Sequence, residues 1–146
     1  MAASSFIQSN TIKGRIARFP AANLTGLEGT LVSLQTASSG AATVNTTGAG
    51  AQAHFVLLEG GTNVGDPSSI SEATNDLQQV VVLPLDSEQE IRVISTGVIN
   101  AGVEVQSDAS GQAVPASTGN WVFGISEESG VAGQYLVIRP IGPYKK

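Results

Sequence analysis

The chain has 146 residues, 41% of them apolar and 13% charged, with a net charge of −5. That length suits one domain or two very small ones, the apolar content argues against a disordered chain, and the negative balance disfavours nonspecific nucleic-acid binding. Cysteine is absent, which excludes disulfides, thiolate metal centres and cysteine nucleophiles.

Residues 1–13 are polar, rich in Ser and Asn, and lack a strand or helix period. They are expected to form an extended N-terminal arm ahead of a β-rich domain over 14–146. No basic cluster precedes an apolar run here, so a secretory leader is not expected. Short strand-like runs follow at 15–19, 30–34, 54–58, 80–83, 90–94, 103–105, 121–123 and 135–138. Some alternate polar with apolar residues, and 54–58 and 80–83 are continuously apolar, as fully buried strands are. Gly, Asn, Ser and Pro punctuate the gaps. One short helix is possible over 68–79, where Pro67 and a Ser69–Glu72 capping box supply a start. No run is long enough to cross a bilayer as a helix.

The segment from Gly29 through Glu59-Gly60 echoes the segment from Gly102 through Gly130: strand, Gly hairpin, strand, Gly-rich gap, strand, turn. Two explanations fit, a structural duplication or the ordinary punctuation of a Gly-rich β protein. Two copies are too few for a solenoid.

Candidate chemistry is sparse. The single histidine, His54, begins an apolar strand, where a hydrogen-bonded strand-end side chain is the expectation. It has no second His or Cys with which to hold a metal. Asp86, Glu88 and Glu90 alternate after Pro84 and read as a solvated loop. Glu127-Glu128 ahead of Ser129-Gly130 reads as a turn. The Gly-rich stretch from Gly60 to Asp66 lacks the Lys-Ser/Thr ending of a phosphate-binding loop, and the nucleophile-elbow pattern from Gly124 has Glu128 where its last glycine belongs. No catalytic residue, metal ligand or cofactor is therefore assigned, and the chain is not expected to be an enzyme.

Charge placement is the clearest signal. Five of the seven basic residues, Lys13, Arg15, Arg18, Lys145 and Lys146, lie near the two ends, and all acids fall between Glu28 and Glu128. Basic ends of this kind suit an acidic partner surface. With Phe6, Ile7 and Ile12, apolar groups suited to a neighbour's groove, they form the candidate contact set. Trp121 and Tyr135 lie in apolar runs and are expected in the core, Trp121 facing the strand over 135–138.

The C-terminal third carries further patterns: Asn100-Ala101-Gly102-Val103-Glu104-Val105, Asp108-Ala109-Ser110-Gly111-Gln112-Ala113, Gly124-Ile125-Ser126-Glu127 and Gly133 to Ile138. Over roughly residues 90–140 this resembles the capsid decoration, or cement, proteins of tailed bacteriophages. The resemblance implies an all-β fold, a small barrel or β-tulip with an extended N-terminal arm. It also implies a virion structural protein on the outer capsid surface, made in the host cytoplasm. Such a protein clamps neighbouring major capsid proteins, commonly as a homotrimer, and engages neither nucleic acid nor membrane. The alternative from the residues is a carbohydrate- or receptor-binding β module on a virion or cell surface, which needs an exposed aromatic platform.

Overall fold

The computed structural model describes residues 16–36, 42–59 and 79–146. Ten strands occur in chain order: β1 (Ile16–Arg18), β2 (Leu31–Thr36), β3 (Ala42–Thr46), β4 (Phe55–Glu59), β5 (Val80–Pro84), β6 (Ile91–Ile94), β7 (Glu104–Ser107), β8 (Ala113–Pro115), β9 (Trp121–Ser126) and β10 (Tyr135–Lys145). They build two five-stranded sheets, ordered β1-β5-β4-β2-β3 and β6-β10-β9-β7-β8, with antiparallel ladders throughout.

The expected barrel or β-tulip is corrected by this arrangement: the fold is all-β, but both sheets are open. Closure needs a continuous ladder between the first and last strands at a consistent stagger. Here β1 and β8 have three residues each. One isolated parallel bridge per sheet, Pro20–Val44 and Ser95–Ala113, joins the edges at a single point. No helix occurs among the described residues. The arm over 1–13 and nearly all of the helix expected over 68–79 lie outside them, and Gln79 itself is irregular.

Strand by strand, the second sheet repeats the first. β6 to β10 hold the places of β1 to β5, and the two isolated bridges match. The turns match bond for bond. Gly29 N–H donates to the Leu57 carbonyl at 2.8 Å and Gly102 N–H to that of Ser126 at 2.7 Å. Thr47 N–H donates to Leu31 O at 2.9 Å and Ala116 N–H to Glu104 O at 2.8 Å. Gly29 and Gly102 have φ of 81° and 83°, and Gly50 and Gly119 have 64° and 88°, backbone conformations that side-chain-bearing residues avoid. The sequence echo is therefore a structural duplication.

Side chains alternate across a strand, and the first sheet buries both faces. Val32, Phe55, Leu57, Val80 and Val82 share a core with Leu24 and Val44. Leu31, Val56 and Leu83 join the larger core, with Ile91, Val93, Val105, Phe123, Leu136 and Ile138 of the second repeat. Two buried faces explain the unbroken apolar run in β4. The register sets Leu31 opposite Val56 and Val56 opposite Leu83; the matching row of the second sheet is Glu104, Ile125 and Arg139. The first row is covered by the second repeat and is apolar. The second has no repeat beyond it among the described residues, and its ends are charged. Lys146 lies over this second row, its Nζ 3.7 Å from Glu104 Oε1. Its carbonyl accepts from Gly119 N–H at 2.7 Å, as the Ser107 carbonyl accepts from Gly50 N–H at 2.8 Å.

Two local expectations change. β10 runs on through Pro140 and Pro143 to Lys145, beyond the run expected over 135–138. Beyond Ile138 it has a ladder partner on one side only, and its register shifts between Pro140 and Tyr144, a setting in which a strand accepts proline. That longer strand pairs Lys145 with Trp121, so Trp121 faces the far end of β10 rather than the stretch 135–138, where Tyr135 pairs with Ile94 of β6. Trp121 is half-buried, with the Lys145 ammonium 5.7 Å from its ring centroid.

The β7–β8 hairpin depends on Asp108. Its Oδ1 accepts the N–H groups of Ser110 at 2.7 Å and Gln112 at 2.8 Å, the side-chain-to-backbone closure that Asp supplies to turns. Asp108→Ala is expected to lower unfolding free energy by about 1–3 kcal/mol through these two bonds. Asp108→Asn, which keeps an acceptor, should recover most of the loss in urea denaturation.

Candidate functional site

Where the two repeats meet, the described residues of the second sheet leave part of the first sheet uncovered. The result is a cleft of about 480 Å³ lined by Glu28, Gly29, Val56, Leu57, Leu58, Leu83, Glu90, Ile91, Arg92 and Tyr135. This volume lies within the range of small-molecule sites, roughly 300–1,000 Å³. β4 and β5 supply the aliphatic floor. β6 and the turn before it supply Glu90, Ile91 and Arg92, and the start of β10 supplies Tyr135.

Tyr135 is 50% exposed, which corrects its expected place in the core. Its hydroxyl donates to the Glu28 carbonyl at 3.1 Å. Its ring lies where a Cβ on Gly29 would stand, so the glycine makes room for the aromatic. Glu28, Glu90 and Arg92 are exposed around it. Arg139 bridges Glu90, at 3.7 Å, and Glu127. The hydrogen bond and charge of Glu127 raise the Arg139 pKa above its ordinary value, so this guanidinium stays a cation beside the cleft at any physiological pH.

The other acids have structural partners. Asp86 Oδ1 accepts Glu88 N–H at 2.9 Å, closing the turn ahead of β6. Glu128 Oε1 accepts Val137 N–H at 3.0 Å. His54 Nδ1 accepts Leu34 N–H at 3.0 Å, the hydrogen-bonded strand-end histidine expected from sequence. It borders a smaller cavity of about 170 Å³ with Gln52, Leu85, Phe123 and Pro143. Among the described residues no group of three or more His, Asp or Glu is placed to hold a metal.

Of the residues expected to make partner contacts, Phe6, Ile7, Ile12, Lys13 and Arg15 lie outside the described residues. Arg18 is half-buried, its guanidinium 6.0 Å from the Phe55 ring centroid and donating to Ala17 O at 3.0 Å. Lys145 stacks on Trp121, and Lys146 pairs with Glu104. The structure does not gather Arg18 with the two lysines: they lie on different sheets. The cleft itself was missed. Its walls come from five places in the chain, and the bond that orients Tyr135 spans 107 residues, beyond the reach of any local pattern.

No protein-family model matches the chain, and no curated protein matches it. A solved structure does. The fold is similar to the N base of the head fibre gp8.5 in bacteriophage phi29, with a TM-score of 0.65 and 19% identity, over 86% of this chain and 92% of that one. The likeness is one of fold. It corrects the resemblance to decoration proteins and the expectations drawn from it, the capsid clamp and the major capsid protein as partner; it says nothing of the expected homotrimer. The misleading motif has a physical origin. The residues that carried the resemblance span β7 to β10, which is the strand-hairpin-strand-strand unit found again in β2 to β5. Turn glycines and strand alternation mark this repeat rather than a family.

Proposed function

We propose that this chain is a non-catalytic structural module of a virion-surface fibre that contacts a receptor or carbohydrate on the host. The single observation that carries this reading is the similarity of fold to a phage head-fibre base across nearly the whole of both chains. The cleft supports it. Its chemistry is that of a binding site, an aliphatic floor with an exposed aromatic and a few polar groups at the rim, and its acids lack the paired, buried setting of acid–base catalysis. The exposed aromatic that a carbohydrate-binding module needs is present in Tyr135.

The test is an array of cell-surface glycans and cell-wall polysaccharides probed with the labelled protein and with Tyr135→Ala. Saturable binding by the intact protein that falls at least about tenfold in the variant, a change of 1.4 kcal/mol, is the expected result. Because Tyr135 is half-exposed, the variant should keep its β-sheet circular dichroism. Undiminished binding by Tyr135→Ala would move the contact away from the cleft.

A further inference from the structure

The two repeats differ most on the face that each turns away from its own core. We infer that this face of the second sheet is a closing face. Its charged row and Lys146 fill the seat that a third repeat would take, and they keep the second sheet of another copy of this chain from stacking there. This closure is independent of the cleft and of its ligand.

The first repeat shows how such a seat is filled. Its row of Leu31, Val56 and Leu83 is at most 6% exposed, with the second repeat packed on it. Two bonds fasten the junction beside that row. Gly50 N–H donates to the Ser107 carbonyl at 2.8 Å, and Ser107 Oγ donates to the Thr47 carbonyl at 3.2 Å. In the second repeat the counterparts of Gly50 and Thr47 are Gly119 and Ala116. Gly119 N–H donates to the Lys146 carbonyl at 2.7 Å, and Lys146 Nζ donates to the Ala116 carbonyl at 3.4 Å. Lys146 thus makes both of the bonds that Ser107 makes at the inner junction.

A second polar group closes the same end. Gln106 follows Glu104 as Ser33 follows Leu31. Ser33 Oγ bonds to Thr47 Oγ1 at 2.8 Å, inside the junction of the repeats. Gln106 Oε1 instead accepts Ser117 N–H at 2.7 Å and Asn120 Nδ2 at 3.2 Å, so this loop is satisfied within its own repeat.

The row itself opposes burial. Glu104 pairs with Lys146 at 3.7 Å, and Arg139 with Glu127 and Glu90, all with side chains 30–56% exposed. Taking such pairs out of water costs more than their attraction returns unless new polar partners meet them. A second copy turned about a two-fold axis would set Glu104 against Arg139, but both already have partners within the chain, so the exchange gains no pair. A polar outer face is what the terminal unit of a repeat stack carries.

The chain has no cysteine, so Ile125→Cys places a single thiol in the middle of the row, and maleimide labelling reports its cover. In the otherwise intact chain the labelling rate should not change with protein concentration, whatever assembly forms through other surfaces. With Glu104→Leu and Arg139→Leu added, which copy the apolar ends of the first row, labelling should slow at least about tenfold on concentration, a 1.4 kcal/mol effect. Sedimentation velocity should then show a larger species. Circular dichroism checks that the sheets persist, and Arg139→Leu alone, at an exposed position, should move the rate in the same direction if the combined variant does not fold. Protection of the thiol in the intact row would overturn the proposal by showing that this face is already an interface. Unchanged labelling in the folded leucine variants would overturn it too, because the charges would then be withholding nothing.

Discussion

Gly111→Val should destabilise the fold by about 2–5 kcal/mol, combining the cost of a left-handed backbone with that of a broken buried hydrogen bond. Gly111 sits in the β7–β8 hairpin at φ +75°, and a Cβ there would stand 2.6 Å from the Leu31 carbonyl oxygen and 3.2 Å from its nitrogen. Both are backbone atoms of a fully buried residue, so nothing flexible can yield. The Gly111 carbonyl also accepts Leu31 N–H at 2.7 Å, one of the bonds that fasten the second repeat to the first. Pushing the hairpin away leaves that buried donor unpaired. Gly102→Val is the matched control. It has φ +83° and no atom within 4 Å of the added carbon, so it should show backbone strain alone, about 1–2 kcal/mol. Urea denaturation of both variants gives the difference. Equal losses would mean that the close approach at Leu31 contributes nothing and that the two repeats are not held together there.

The strands were largely legible in the sequence because each carries its own period. β2, β4, β5, β6, β7, β9 and the first part of β10 coincide with apolar or alternating runs, and seven of the glycines between strands are at positive φ. Closure of the sheets was not legible. A barrel and an open sheet have the same alternation, and what separates them is whether the edge strands pair in a continuous ladder, a long-range property that no composition rule reports. The duplication was visible only as an echo. Its proof is the matching of ladders and turn bonds between residues whose side chains differ, such as Leu31 with Glu104 and Leu83 with Arg139. Those substitutions follow from place: the first row faces a second repeat and the second row is partly open to water. They erased the sequence similarity that would have made the repeat plain. The binding cleft lay furthest from view. Glu28 and Tyr135 belong to different repeats, and each taken alone reads as a turn acid and a strand aromatic.

The Trp121 and Phe123 pair on β9 separates an aromatic that looks like core from one that is. Phe123 is 3% exposed and packs in the larger core with Val93, Val105, Leu136 and Ile138. Phe123→Ala removes most of a buried ring from a site where both sheets of the molecule contribute walls, and such truncations cost about 3–5 kcal/mol. Trp121, two residues earlier, is half-buried, and its visible partner is the Lys145 ammonium. Trp121→Ala therefore gives up part of the ring's burial and an exposed cation–π contact, about 1–2 kcal/mol in all. Larger side chains do not guarantee larger effects: position on the strand decides. Trp121 stands at the outer end of β9, opposite the last residue of β10, whereas Phe123 stands where both repeats supply neighbours. Guanidinium unfolding of the two variants should rank Phe123→Ala well below Trp121→Ala, with the indole fluorescence of the Phe123 variant still reporting the transition. A reversed order would show that Trp121 is the deeper of the two and that the far end of β10 lies over it as a closed wall.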